Sequence, residues 1–138
     1  MSGRIMAIDY GDARTGVAVS DVSLTLAGDA WVVQSKRAAE VAQIIVDEAA
    51  AREVSRIVVG HPKNMDGSIG PRAEKCEQFA ELLRSLCDIE VLLWDERLTT
   101  MSAQRLLTDV GTFGKKRKNT IDAVAASLIL ESYLGSLK

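Results

Sequence analysis

No stretch of this 138-residue chain approaches twenty consecutive apolar residues, so no membrane-spanning helix is expected. Nor is a secretory leader, since Met1 to Arg4 run straight into a strand-like segment; the default address is the cytoplasm. Cysteine is scarce. Cys76 and Cys87 are the only two, about three helical turns apart, which puts them on one face of a helix with Ala73, Phe79, Leu83 and Leu86. Two reduced core thiols fit that setting better than a redox or metal-binding pair. Histidine occurs once, as His61, and cannot complete a zinc site with cysteines on a distant helix face, so no structural metal is expected. Charge of one sign is lacking too. Lys and Arg number 17 against 19 Asp and Glu, a net charge of -2, which excludes a histone-like, purely electrostatic nucleic-acid binder. Repeats, low-complexity tracts and linkers are absent.

What is present suits one domain, residues 1–138. Apolar residues make up 47% and charged residues 26%, enough for a packed core and too apolar for a disordered chain. Residues 4–9 and 15–20 read as strands joined by Gly-Asp-Ala-Arg-Thr, a hairpin. Residues 24–34 are a weaker third strand, best at Trp31-Val32-Val33. Residues 37–52 carry helical periodicity at Ala38, Val41, Ala42, Ile45 and Ala49. Arg56 to Gly60 is a short apolar run of the kind found in parallel strands covered on both faces. "HPKNMDGSIGPR" reads as loop, 72–87 as helix, "EVLLWDE" as a strand ending on acids, 100–110 as helix, "GTFGKKRKN" as loop and 120–134 as a last helix. The order β-β-β-α-β-α-β-α-α predicts an α/β fold: a meander followed by βαβ units, giving a five-stranded mixed sheet with helices on both faces.

In such sheets, sites lie beyond the carboxyl ends of the strands. Asp9 ends the first strand, and Asp95 and Glu96 end the last. Asp122 falls in the first turn of the last predicted helix, on the same stripe as Ala125, Ala126 and Ile129. Singly, each acid has an ordinary structural role: a turn acceptor for Asp9, a dipole partner for Asp122, an ion-pair partner of Arg97 or a lysine for Glu96. Together they would repel and raise one another's pKa values, and folding does not need that. Mg²⁺ or Mn²⁺ would resolve it, because a hard cation takes oxygen ligands; two such ions about 3.5–4 Å apart serve in-line phosphoryl displacement.

At this point the residues resemble those of the YqgF/RuvX family, small bacterial proteins of the ribonuclease H-like superfamily. The matching motifs are "AIDYGDARTGVAVSD", "VVGHPKNMDGSIG", "DERLTT" and "KKRKNTIDAVAASLILESYL", in order and over essentially the whole chain. The resemblance implies a ribonuclease H-like fold and a metal-dependent nuclease for structured nucleic acid: processing of the 5′ end of pre-16S rRNA or, alternatively, resolution of Holliday junctions in branched DNA, as monomer or homodimer. It also implies that Asp9, Glu96 and Asp122 are the catalytic, metal-holding acids. Strand alternation says only that Asp95 and Glu96 point to opposite faces; the choice of Glu96 comes from the family pattern. The chain departs from that pattern at His61, where the family often has a bulky apolar residue. His61 borders the expected site, and loop packing is favoured over a phosphate contact.

Arg14 and Arg97 are candidate phosphate clamps, because guanidinium pairs with phosphate bidentately. Gly11 and Gly16 ease the hairpin's path and could let a phosphate approach. Asn64 and Ser68 are candidate backbone or substrate contacts, with turn hydrogen bonds the plainer alternative. The run Lys115, Lys116, Arg117 and Lys118, close to Asp122 in sequence, is expected to grip substrate. Two rivals remain. A sugar-kinase-type domain also opens on Asp-x-Gly and a hairpin, but needs a second such domain and a second phosphate-binding hairpin. A catalytically silent adaptor would tolerate loss of an acid, and this chain keeps all three.

Overall fold

The computed structural model describes residues 3–21, 27–98 and 114–137, with the side chains at 27, 98 and 114–122 left undescribed. Its sheet has five strands: β1 (Arg4–Asp9), β2 (Arg14–Ser20), β3 (Ala27–Gln34), β4 (Val54–His61) and β5 (Glu90–Asp95). Their order across the sheet is β3-β2-β1-β4-β5. The first three form an antiparallel meander, while β4 and β5 run parallel to β1. The expected mixed sheet is therefore present. Helix α1 (Ala38–Ala51) connects β3 to β4, and α2 (Pro71–Leu86) connects β4 to β5. The last helix, α3, spans Gly114–Ser136.

Strand alternation divides the core into two layers. Met6 and Ile8 of β1, Val17 and Val19 of β2, and Ile57 and Val59 of β4 pack with α1 and α2. On α1 the buried stripe is Val41, Ala42, Ile45 and Ala49; on α2 it includes Cys76, Phe79, Ala80 and Leu83. The intervening residues Ile5, Ala7, Ala18 and Val58 face the other way, onto Ala126, Ile129, Leu130, Tyr133 and Leu134 of α3. That spacing is the apolar stripe of a helix laid on a sheet. Trp94 of β5 closes this layer, edge-on to Tyr133 with centroids 5.3 Å apart, and its indole N–H donates to Ser132 Oγ at 3.1 Å.

Several boundaries differ from the sequence-based ones. The described part of β3 begins at Ala27. β4 runs on through His61, so that residue is strand and not loop. β5 ends at Asp95, and Glu96 opens a 3₁₀ turn, Glu96–Leu98. Pro71 starts α2, where its missing N–H costs nothing. The loop expected over 111–119 is helical from Gly114 onward: the run of four cations carries no apolar periodicity to reveal the helix. Asp122 consequently lies in the third turn of α3 and not the first, which removes the dipole argument for it. The helix expected over 100–110 lies outside the described residues. Cys76 is fully buried and Cys87 partly so, both as free thiols. Burial, with a smaller contribution from nearby Glu96, pushes the Cys76 thiol up to about 12.

Candidate active site

The acids fall on one face for reasons visible in strand parity. Ile5 and Ala7 of β1 face α3, so Asp9, two residues on, continues that face. In β5, Leu93 belongs to the α1/α2 layer and Trp94 to the α3 layer. Asp95, paired in register with His61, returns to the α1/α2 side, and Glu96 comes back towards α3. The register also aligns the strand ends: Ile8 pairs with Val59 and Trp94 with Gly60, so β4 separates Asp9 from Glu96 by one strand.

Gly60 is what lets Glu96 in. A Cβ at position 60 would stand 2.7 Å from Glu96 Oε2 and 2.7 Å from Ile129 Cδ1. The Glu96 carboxyl thus occupies the space of the missing side chain, wedged between β4 and α3. Burial raises its pKa, against the pull of Arg72 and His61, and Asp95 adds to the rise. On α3, Asp122 stands one turn before Ala126 and two before Ile129, the residues that pack against this same face.

Asp95 does something else. Both its oxygens accept from Arg97, at 3.0 Å from Nε and 2.6 Å to Nη2, and the Arg97 backbone N–H donates to Oδ1 at 2.9 Å. The guanidinium holds this carboxyl below its ordinary range. Arg97 also reaches the Met65 carbonyl at 3.5 Å. Arg97 thereby ties the β4–α2 loop to the end of β5.

Arg14 opens β2 and lines a cavity of about 280 Å³ together with Asp9, Gly11, Asp12, Ala13 and Arg72. A Cβ on Gly11 would collide with the Arg14 carbonyl oxygen, which is the physical need for glycine in this turn. Asn64 and Ser68 are engaged with one another: Asn64 Nδ2 donates to Ser68 Oγ at 2.9 Å, and the Asn64 N–H donates to the Ser68 carbonyl at 3.0 Å. Asp66 accepts from both the N–H and the hydroxyl of Ser68. These hydrogen bonds hold the turn between β4 and α2. His61 is buried on the opposite face, with Nε2 2.7 Å from Glu77 Oε2. The side chains of Lys115, Lys116, Arg117, Lys118 and Asp122 lie outside the described ones, although the backbone places all five on α3.

Sequence reasoning missed Arg72. It sits in the first turn of α2, donates to the Tyr10 carbonyl at 3.2 Å, and acts electrostatically on Glu96. The available signal was Pro71: a proline at the first helical position makes the next residue part of a helix start beside the strand ends. Among the described residues no three His, Cys, Asp or Glu side chains are grouped closely enough to hold a metal ion, and Asp122, the expected third ligand, is not among those side chains. Asp9 and Glu96 are both hard oxygen donors of the kind a divalent cation takes. No helix of the described residues is long and apolar enough to cross a membrane.

A family model described as RuvX, Holliday junction resolvase, matches residues 3–136. A relative from Halothermothrix orenii, provisionally named pre-16S rRNA nuclease, is 48% identical over 132 residues, which cover 95% of this chain and 94% of its own. One from Bacillus thuringiensis with the same name is 44% identical over 135 residues, covering 96% and 98%. Among solved structures, Thermus thermophilus RuvC in complex with a Holliday junction substrate aligns with a TM-score of 0.66 at 12% identity, over 99% of this chain and 97% of that one. The fowlpox virus Holliday junction resolvase gives 0.56 at 14%, over 98% and 99%. A ROK hexokinase from Thermus thermophilus gives 0.51 at 19%, over 74% of this chain but 38% of its own. At these identities the likeness is one of fold, the ribonuclease H-like fold, and it extends to this hexokinase.

Proposed function

The chain belongs to the RuvX Holliday junction resolvase family, and we propose that it is a metal-dependent nuclease that processes the 5′ end of precursor 16S rRNA. The nuclease activity itself follows from the family and from relatives named for it. The RNA substrate is carried by the names of relatives at 44–48% identity over nearly the whole chain. The assignment of the site rests on the Glu96 carboxyl, held in the space above Gly60 on the same sheet face as Asp9.

In this reading Asp9, Glu96 and Asp122 hold Mg²⁺ or Mn²⁺. The cation supplies charge where the attacking and leaving oxygens develop it. Arg14 and Arg72, in the cavity beside Asp9, steady the phosphate on either side of the cut, and Lys115 to Lys118 add to the grip. Arg97 acts by fixing the loop around Asn64. The protein works as a cytoplasmic enzyme, as monomer or homodimer.

Cleavage of a labelled precursor fragment, with added Mg²⁺ or Mn²⁺, tests this against a four-way DNA junction and an unstructured strand. Asp9→Asn keeps the shape of the side chain and removes its charge, and should lower the rate by at least about two orders of magnitude with the melting temperature held or raised. A variant that cleaves at the wild-type rate overturns the site. Faster cutting of the DNA junction, at paired positions on opposed strands, favours the second reading, resolution of branched DNA by a two-fold dimer.

A further inference from the structure

A second cavity lies on the other side of the β1 end, and nuclease chemistry leaves it unused. It holds about 480 Å³ and is lined by Tyr10, Asp12, Lys36, Lys75, Gln78 and Leu82, among others. Tyr10 comes directly after the end of β1 and packs on the α1/α2 side, where its ring stacks on buried Phe79 with centroids 4.1 Å apart and planes at 15°. Lys75 Nζ lies 3.1 Å from Asp12 Oδ1, with both side chains more than half exposed. Lys36 is exposed and has no ion pair or hydrogen bond among the described residues.

Two observations join this cavity to the acids. Asp12 lines both this cavity and the smaller one that holds Asp9, Arg14 and Arg72. Helix α2 presents Arg72, Lys75 and Gln78 at three-residue spacing, the first to the acid-side cavity and the others to this one. Residues so spaced share a helix face, and these three cover about 9 Å of helix rise. The result is a track: cations, then a cation with an amide, beside an aromatic ring. That combination of a charged groove and a ring against which a base can lie is how proteins hold single-stranded nucleic acid. A free nucleotide would need no continuity with the acid side.

We propose that the groove between Tyr10, Lys36, Lys75 and Gln78 holds the single-stranded segment of RNA that flanks the cleaved bond. Phosphates meet Lys36 and Lys75, a base lies against Tyr10, and Arg72 carries the backbone across to Asp9. This deepens the nuclease reading and rests on it. It gives the enzyme a preference for RNA in which a single strand adjoins structure.

Binding in the Asp9→Asn protein tests it without cleavage. Labelled RNA hairpins, blunt or with a single-stranded tail at either end, are titrated by fluorescence anisotropy from low to high salt. The Asp9→Asn protein should bind one tailed hairpin at least tenfold more tightly than the blunt one. Adding Lys36→Ala and Lys75→Ala, both at exposed positions, should remove most of that preference. It should also flatten the slope of log affinity against log salt by about 0.7 per lost phosphate contact. An unchanged preference and slope in the Lys variant overturn the groove and leave the nuclease reading standing. Absence of RNA binding by the Asp9→Asn protein overturns both together. Binding of adenosine monophosphate as tight as that of the tailed RNA overturns the track.

Discussion

The Glu96 carboxyl lies against the α-carbon of Gly60, in the space that a side chain at position 60 would take. A single added methyl would sit 2.7 Å from Glu96 Oε2 and 2.7 Å from Ile129 Cδ1, closer than real carbon atoms approach. Gly60→Ala must therefore shift the Glu96 carboxyl, the Ile129 δ-methyl or both, each the end of a flexible side chain. Overpacking of this kind typically costs about 1–3 kcal/mol of stability, and misplacing a catalytic group by about 1 Å can cost on the order of a hundredfold in rate. Gly60→Ala should fold, melt several degrees lower and cleave about a hundredfold more slowly, with the loss in kcat and not in KM. Wild-type turnover in a folded Gly60→Ala protein would remove Glu96 from the site.

Burial governs how Glu96 titrates. The folded carboxyl holds its proton to a higher pH than the ordinary 4.5, chiefly because it is desolvated. For an acid raised in this way, the folded state binds more protons than the unfolded one between the two values. Stability is therefore greatest below the ordinary value and is lost as pH rises through the folded one. Glu96→Gln lacks that loss. With a chelator present, the two proteins should melt together near pH 4 and separate as pH rises, the Gln variant becoming the more stable. Excess Mg²⁺ should narrow the gap, since a cation bound to the folded wild type alone stabilises it by mass action. A gap independent of pH would mean that Glu96 is solvated.

How far these features were legible in the sequence depended on periodicity. β1, β2, β4 and β5 announce themselves as apolar runs bounded by acids or glycine, and α1 and α2 by stripes such as Val41, Ala42, Ile45 and Ala49. The start of α3 did not, because Gly114 and the four cations after it carry no apolar spacing. The choice between Asp95 and Glu96 needed sheet register as well as alternation: only the pairing of Trp94 with Gly60 shows which carboxyl meets a vacant side-chain position. Arg72 was hidden for a related reason. Its importance comes from the packing of α2 beside the end of β1, a contact between residues 62 positions apart.

His61 offers a clean separation of packing from chemistry. It is buried to 6% exposure on the α1/α2 side of β4, with Nε2 2.7 Å from Glu77 Oε2, whose side chain is 40% exposed. Leucine can fill the same space, and Glu77 keeps its water. His61→Leu should change stability by no more than about 1.5 kcal/mol, the net worth of one hydrogen bond, and leave the cleavage rate within about twofold. A tenfold fall in rate without a change in melting temperature would show that His61 acts on the phosphate after all.

Lys115, Lys116 and Arg117 fall in the first turn of α3 and Lys118 just after it, at the end of a helix where positive charge is least favoured. Each cation there opposes the helix dipole, by about 0.3–1 kcal/mol at low salt when exposed. Alanine at the same positions removes the repulsion and raises helix propensity. Substitution of all four by Ala should therefore raise the melting temperature in low salt, with the gain fading as salt rises. RNA affinity should move the other way. Each phosphate contact releases condensed counterions, so log affinity falls against log salt by roughly 0.7 per contact on a single strand and 0.9 on a duplex. In the Asp9→Asn background the quadruple variant should bind RNA more weakly and flatten the slope by about one to three units. With Asp9 intact, cleavage at saturating substrate should fall far less than binding does, because the acids are untouched. The two signs together identify cations retained for a ligand at a cost to the fold. A stabilised variant whose salt slope is unchanged would leave the four residues as a solvated helix start with no part in gripping RNA.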